Sequence, residues 1–167
     1  MMNTKRFILS LVMAWLLFVM IDFSAHATLL RHFWDKEFSV FKSKQELFCL
    51  IPFGYLSFLI LTFLVGWVYT HFYRESGDVK KGISFGAIFG ALFALATFFA
   101  WYSALNLPFL FILLVSFIYF VEIAVVGFTF SYLMHLASVK KRLWVLIVVV
   151  GGFVVSIILQ NILPSSQ

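Results

Sequence analysis

Charge is scarce in this chain of 167 residues: 11% are Asp, Glu, Lys or Arg, against about 25% in a soluble domain. Hydrophobic residues make up 63% and the mean hydropathy is +1.06. No soluble fold of this size hides so much apolar surface. The shortage of charge therefore excludes a soluble enzyme, a nucleic-acid-binding domain and a disordered chain. Cysteine is almost absent too. Cys49 stands alone, which excludes an internal disulfide and any relay chemistry that needs paired thiols. The chain has no P-loop, no HExxH and no GxSxG, so the common membrane ATPase, protease and hydrolase signatures are missing. What remains is an integral membrane protein, and its net charge of +5 reads as basic residues at membrane boundaries rather than as a nucleic-acid surface.

The few charges are clustered. Seventeen of the nineteen fall into four groups: Lys5-Arg6; residues 31–46; Arg74, Glu75, Asp78, Lys80 and Lys81; and Lys140-Lys141-Arg142. A helix needs about 20 apolar residues to cross the hydrocarbon layer, and the intervals between the groups supply them. The interval 82–139 contains one charge, Glu122, and is long enough for two crossings, with Asn106-Leu107-Pro108 as the turn signal near its middle. The expected fold is an all-α bundle of five transmembrane helices in a single domain, 1–167. Its spans are about 7–30, 48–73, 83–105, 108–136 and 143–163, with an outer-surface loop at 31–47. Eight basic residues fall on one side and four on the other, so the positive-inside rule predicts the N-terminus in and the C-terminus out. Trp34, Trp67, Tyr69, Tyr73, Trp101, Tyr102 and Trp144 are expected as an aromatic belt. Within 35–47, Phe38 and Phe41, with Phe48 beyond, suggest either a short amphipathic surface piece or a plain loop.

The first span also fits a signal peptide, with a basic start, an apolar run over 7–21 and Ala25-His26-Ala27 as a cleavage site. An uncleaved anchor is the favoured reading, because a chain with four further spans needs no removable signal.

Small residues recur every fourth position in the third span, at Gly82, Gly86, Gly90 and Ala94, with Ala87 and Ala91 alongside. Such a stripe allows another backbone to approach closely. Another span of the same chain is the favoured occupant; a second copy or another membrane protein is the other. Gly151-Gly152 marks a second close contact. The lipid bilayer is the one certain partner, nucleic acid is not expected, and no cofactor is assigned.

Two carboxylates lie in the apolar runs, where an ionisable group is a functional candidate by default. Asp22 lies in the first span, with His26 one turn on along the same face. Glu122 lies in the middle of the fourth. Imidazole and carboxylate could bind a divalent transition metal, or the same groups could pass protons. The structural alternative has Glu122 fixing helix pairing through Tyr119 or Ser116, and His26 as an interfacial ring bonded to Asp22. At 1.5 Å per residue Asp22 would lie ~8 Å below the outer surface and Glu122 ~15–20 Å, so the two meet only through helix tilt or a cleft. His32, His71 and His135 fall near span ends and need no special role. Ser156, Gln160 and Asn161, with Trp101, Tyr102 and Ser103, suggest an outward-facing polar pocket between the first, third and fifth spans.

The succession Asp22-Phe23-x-x-His26-x-x-Leu29-Leu30, Trp34, Gly82-x-x-x-Gly86-x-x-x-Gly90, Pro108 and Glu122-x-x-x-x-Gly127 resembles a group of small bacterial inner-membrane proteins. Its members carry an Asp-Phe-x-x-His first-span end, a glycine-rich third span and an intramembrane Glu. The likeness covers about residues 20–130. It implies a multi-pass protein of the bacterial inner (cytoplasmic) membrane with an uncleaved first span, and it implies no activity, since the group has none assigned. Two roles are therefore expected. One is a non-enzymatic accessory, assembly or sensing protein; the other is a small transporter or a metal- or proton-handling protein using Asp22, His26 and Glu122. The intact mass of protein purified from its membrane should be that of the whole chain, 19.3 kDa. A mass lacking residues 1–27 would show that the first span is a cleaved signal.

Overall fold

A computed structural model describes residues 4–34, 36, 38–73, 78–136 and 138–162. The described residues form six helices and no strand: α1 (Thr4–Ala27), α2 (Arg31–Trp34), α3 (Lys44–Phe72), α4 (Val79–Ala104), α5 (Phe109–Leu136) and α6 (Val139–Ile162). Five of them, all except α2, are long and apolar enough to cross a membrane. In hydrocarbon a helix satisfies its own backbone groups, which is why uncharged runs of this length become helices.

Local signals set several helix ends. Ser43 and Glu46 form a capping box at the start of α3, with the Ser43 N–H donating to Glu46 Oε2 at 3.0 Å and the Glu46 N–H to Ser43 Oγ at 3.3 Å. Asp78 caps α4 by accepting from the Lys81 N–H at 2.7 Å. The α4–α5 connection is short, and the carbonyl of Pro108 accepts the Ile112 N–H to open α5. Residues 38–43 are not helical, and the helix after them already belongs to α3. No amphipathic surface helix therefore spans 35–47, and Asp35 and Glu37 lie outside the described residues. A short helix, α2, forms earlier instead, inside what was expected as loop.

The helices at the centre of the bundle are α1 and α5, whose most apolar stretches are each 44% buried, against 11–17% for the other three spans. One apolar cluster joins Phe7, Ala14 and Phe18 of α1 to Val65 and Tyr69 of α3 and to Ile123, Val126 and Phe130 of α5. A second, at the end of the bundle that carries α2, joins Ala25 and Leu30 to Phe111, Val115 and Ile118. Trp34 and Phe41 fold back onto Phe111, with ring centroids 5.8 and 5.9 Å away. They cover the bundle there rather than standing in a belt. Tyr69 is likewise buried, at 1% exposure, because its hydroxyl finds partners inside, whereas Trp67, Tyr102 and Trp144 are exposed.

The small-residue stripe of α4 is covered by α5 of the same chain. Gly86 lies so near α5 that an added Cβ would stand 2.8 Å from the Ala124 carbonyl oxygen, and one on Gly127 would stand 2.6 Å from the Gly86 Cα. Gly90 faces the Phe120 carbonyl in the same way, and Gly82 faces Ser131. Ala94, half-buried, lines a groove between α4 and α5 beside Ser116 and Phe120. Of the occupants the stripe admits, the intramolecular one is present. In α6 only Gly152 makes a close contact, with Met20 of α1; Gly151 has open space around it. Below Met20, Ser24 and Ser156 share a hydrogen bond of 2.6 Å that ties α6 to α1.

Gly86→Ala should therefore destabilise the folded bundle by about 1–3 kcal/mol through overpacking, while Gly151→Ala should leave it unchanged or slightly firmer. Thermal unfolding of the two variants in the same detergent checks this; equal behaviour would show that the α4–α5 contact is loose.

Candidate functional site

Asp22 and His26 are one turn apart on α1, and the His26 Nε2 stands 3.2 Å from Asp22 Oδ1. After Ala27 the chain turns through Thr28 and Leu30, whose N–H groups bond back to Ser24 and Ala25. Leu30 is completely buried at this corner. The turn swings α2 over the end of α1 and aims the Trp34 indole N–H at His26 Nδ1, 2.8 Å away. An indole nitrogen only donates, so Nδ1 is the acceptor, and the neutral ring carries its hydrogen on Nε2, pointing at Asp22. Trp34 thus sets the tautomer of His26, and both ring nitrogens are engaged.

Glu122 of α5 is fully buried, and neither of its carboxyl oxygens has a hydrogen-bond partner. The expected hydrogen bond to Ser116 is not made: the Ser116 hydroxyl is itself buried without a partner. What Glu122 does have nearby is Asp22. Two clusters set the antiparallel register of the two helices: Ala25 shares one with Val115 and Ile118, and Phe18 shares the other with Ile123 and Val126. Between those anchors Asp22 falls near the level of Tyr119 and Glu122. In this register the two carboxylates lie closer in level than counting residues from the helix ends suggests. That count took the end of α1 as the membrane surface, but α2 and its aromatic rings lie over that end, against Phe111 of α5. Exposure falls along the row, from 36% for His26 and 13% for Asp22 to 0% for Glu122.

His26 opens onto a cleft of about 730 Å³ lined also by Phe23, Arg31, Trp34, Phe48, Ile51 and Gln160. It lies between α1, α3 and α6, with α2 above. This mostly apolar cleft lies between the first, second and fifth spans, not where the polar pocket is expected between the first, third and fifth. Trp101, Tyr102 and Ser103 are elsewhere, because α4 is held on the far side of α5 by its glycines. Gln160 is at the cleft as expected, and its carbonyl accepts from the Arg31 guanidinium at 2.6 Å. Ser156 is buried instead against Ser24.

A second polar network occupies the opposite end. The Ser131 hydroxyl donates to the Asp78 carbonyl at 2.8 Å and accepts from the Tyr69 hydroxyl at 2.7 Å, and the Tyr69 oxygen also lies 3.2 Å from His135 Nε2. It joins α3, α5 and the cap of α4. Position in the sequence hid it, since His135 and Tyr69 both look like ordinary span-end residues. Trp34 was legible as an aromatic near a boundary, but nothing in its spacing from His26 signalled the hydrogen bond. Among the described residues, no group of three or more His, Cys, Asp or Glu is placed to hold a metal ion.

No family model, curated protein or solved structure matches this chain.

Trp34→Phe keeps a ring of similar shape but removes the donor to His26. It should cost about 0.5–1.5 kcal/mol of stability and release the tautomer preference of the imidazole. Nitrogen NMR of labelled histidine reads the tautomer directly; a wild-type-like spectrum in the variant would show that Trp34 does not set it.

Proposed function

We propose that this chain is a small, non-enzymatic, multi-pass protein of a bacterial inner membrane, with its N-terminus in the cytoplasm, its C-terminus outside and the α2 end of the bundle facing out. Its role is proton-linked sensing, in which the Asp22–His26–Glu122 row takes up and releases protons from the outer side. The distribution of basic residues supports the orientation. The resemblance described above supports the membrane assignment.

The observation that carries the proton reading is the Glu122 carboxyl, enclosed in apolar surroundings, unpartnered, and within electrostatic reach of a second carboxyl. Two carboxylates so placed are too costly to stand ionised together, so one of the pair holds a proton, and the row through His26 to the cleft is the route by which that proton would be exchanged. The titratable groups in this part of the bundle are Asp22 and His26 of α1, Tyr55 of α3 and Tyr119 of α5. The membrane stretches of α4 (82–101) and α6 (143–162) contribute none. Because both His26 nitrogens are engaged, the donor set favours proton exchange over metal binding.

Transport is the second reading, favoured by the polar network at the opposite end. Between that network and Glu122 stand Phe18, Val65, Ile123, Val126 and Phe130, all buried in one apolar cluster. In this conformation the row opens to one side only, which suits a sensor; a transporter would have to part that layer.

Infrared spectra of the bilayer-embedded protein over a pH ramp should show a protonated-carboxyl band that Glu122→Gln removes and Asp22→Asn moves along the pH axis. A Glu122-dependent band that ignores Asp22→Asn, or no such band, would overturn the proton reading. Proton flux across vesicles bearing the wild type would replace sensing by transport.

A further inference from the structure

Trp34 has two positions to keep at the α2 end of the bundle. Its indole N–H donates to His26 Nδ1 at 2.8 Å, and its ring lines two cavities at once. One is the cleft of about 730 Å³ that reaches His26. The other is a hollow of about 490 Å³ lined also by Lys36, Phe38, Phe41 and Lys42. Trp34 and Leu47 are the two residues that line both, so they form the partition between them.

The hold on Trp34 is conditional on the charge of His26. An indole nitrogen donates and cannot accept. Nδ1 accepts only while the imidazole is neutral, because both nitrogens of the imidazolium carry hydrogen. A second proton on His26 therefore sets one N–H against another across 2.8 Å, and the indole has to turn away. Asp22 stands on the other side of the ring, with Oδ1 3.2 Å from Nε2. An ionised Asp22 keeps that contact as an ion pair with the charged ring, so protonation releases Trp34 and retains Asp22. What else touches the indole are the Phe41 and Phe111 rings, at centroid distances of 5.2 and 5.8 Å. Apolar contact is non-directional and tolerates reorientation. The corner behind the ring is fixed, since Leu30 is completely buried and its N–H bonds to the Ala25 carbonyl at 2.9 Å.

We infer that Trp34 is a gate released by protonation of His26. When the imidazole takes its second proton the indole leaves Nδ1, the two cavities join, and water from the α2 end reaches His26 and Asp22. Among the described residues, the charged or titratable neighbours of His26 are Asp22 on its own helix and Arg31 and His32 on α2. Arg31 lines the same cleft, bonded to the Gln160 carbonyl of α6. From α3 the cleft is faced by Leu47, Phe48, Leu50 and Ile51, which do not titrate, and Glu46 is occupied in the capping box. Deeper in the bundle stand Tyr55 of α3 and Tyr119 and Glu122 of α5. The inference goes beyond the proton reading of the carboxyl row, because the gate needs His26 and Trp34 and works with Glu122 in either protonation state.

Solid-state NMR of the full chain in bilayers, with nitrogen-labelled histidine and tryptophan, tests the gate from about pH 8 to about pH 5, the range in which imidazoles titrate. At the upper end a correlation should link the Trp34 indole hydrogen to His26 Nδ1, assigned by its absence from Trp34→Phe. It should be lost in step with the appearance of doubly protonated His26, and magnetisation transfer from water to the His26 ring should quicken over the same interval. His26→Asn places an amide oxygen near the position of Nδ1 and takes up no proton, so the Trp34 signal there should not change with pH. Trp34→Ala removes the partition and should show the quick water transfer at both ends of the ramp. A correlation that persists while His26 is doubly protonated would overturn the gate. So would a His26 that stays neutral down to about pH 5, or water transfer that is unchanged across its titration. Glu122→Gln should leave the release of Trp34 intact, so a failed infrared result and a failed gate remain separate.

Discussion

The rest of the bundle depends on the contact between the backbones of α4 and α5. With Gly86 against Gly127 and Gly90 against the Phe120 carbonyl, the two backbones meet directly, and at Gly82 only the small Ser131 side chain stands between them. Close approach of this kind replaces the hydrophobic effect, which has no force between helices already in lipid. The contact uses one face of α5 and leaves the others to α1 and α3, so α5 becomes a central helix although it is the most apolar of the six. Glu122 is carried on that helix, two residues before Ala124 and five before Gly127, which close the seam with α4. Its burial follows from how tightly its neighbours are joined.

Along the membrane normal the polar groups divide into two sets with an apolar layer between. At the α2 end the row runs from Trp34 through His26 and Asp22 to the level of Tyr119 and Glu122. At the other end Tyr69, Ser131, His135 and Asp78 satisfy one another. The second set is saturated with hydrogen bonds and fastens helices together. The first ends in a buried carboxyl with no hydrogen-bond partner, and that difference is what sets the two ends apart.

Much of this is legible in the sequence. The five spans follow from where charge is absent, since each crossing needs an uncharged stretch of a set length. The glycine stripe announces a packing face because residues four apart share one side of a helix. Asp22 and His26 meet for the same reason. Periodicity identifies a face and never its occupant, so α5 as the partner of α4, and the place of the cleft between α1, α3 and α6, had to come from the fold. The hydrogen bond from Trp34 to His26 depends on the corner at Leu30, a tertiary feature with no local signal. Tyr69 was misread because proximity to a span end was taken for exposure, whereas Phe85 and Phe130 enclose it. The level of Glu122 relative to Asp22 was misjudged because helix ends were taken as a common surface, and α2 overlies one of them.

The hydrogen bond between Ser24 and Ser156 spans 132 residues of sequence, and α6 leans chiefly on α1. During synthesis α1 is made before α6, so the face bearing Met20 and Ser24 waits among lipids or against the insertion machinery while the four helices between them are made. The Ser24 hydroxyl passes that interval bonded to the carbonyl of Met20, 2.6 Å away within its own helix, and so needs no outside partner. The last helix then closes the assembly by adding a bond to a group that was already satisfied, which makes its docking a late and separable step in the biogenesis of the bundle.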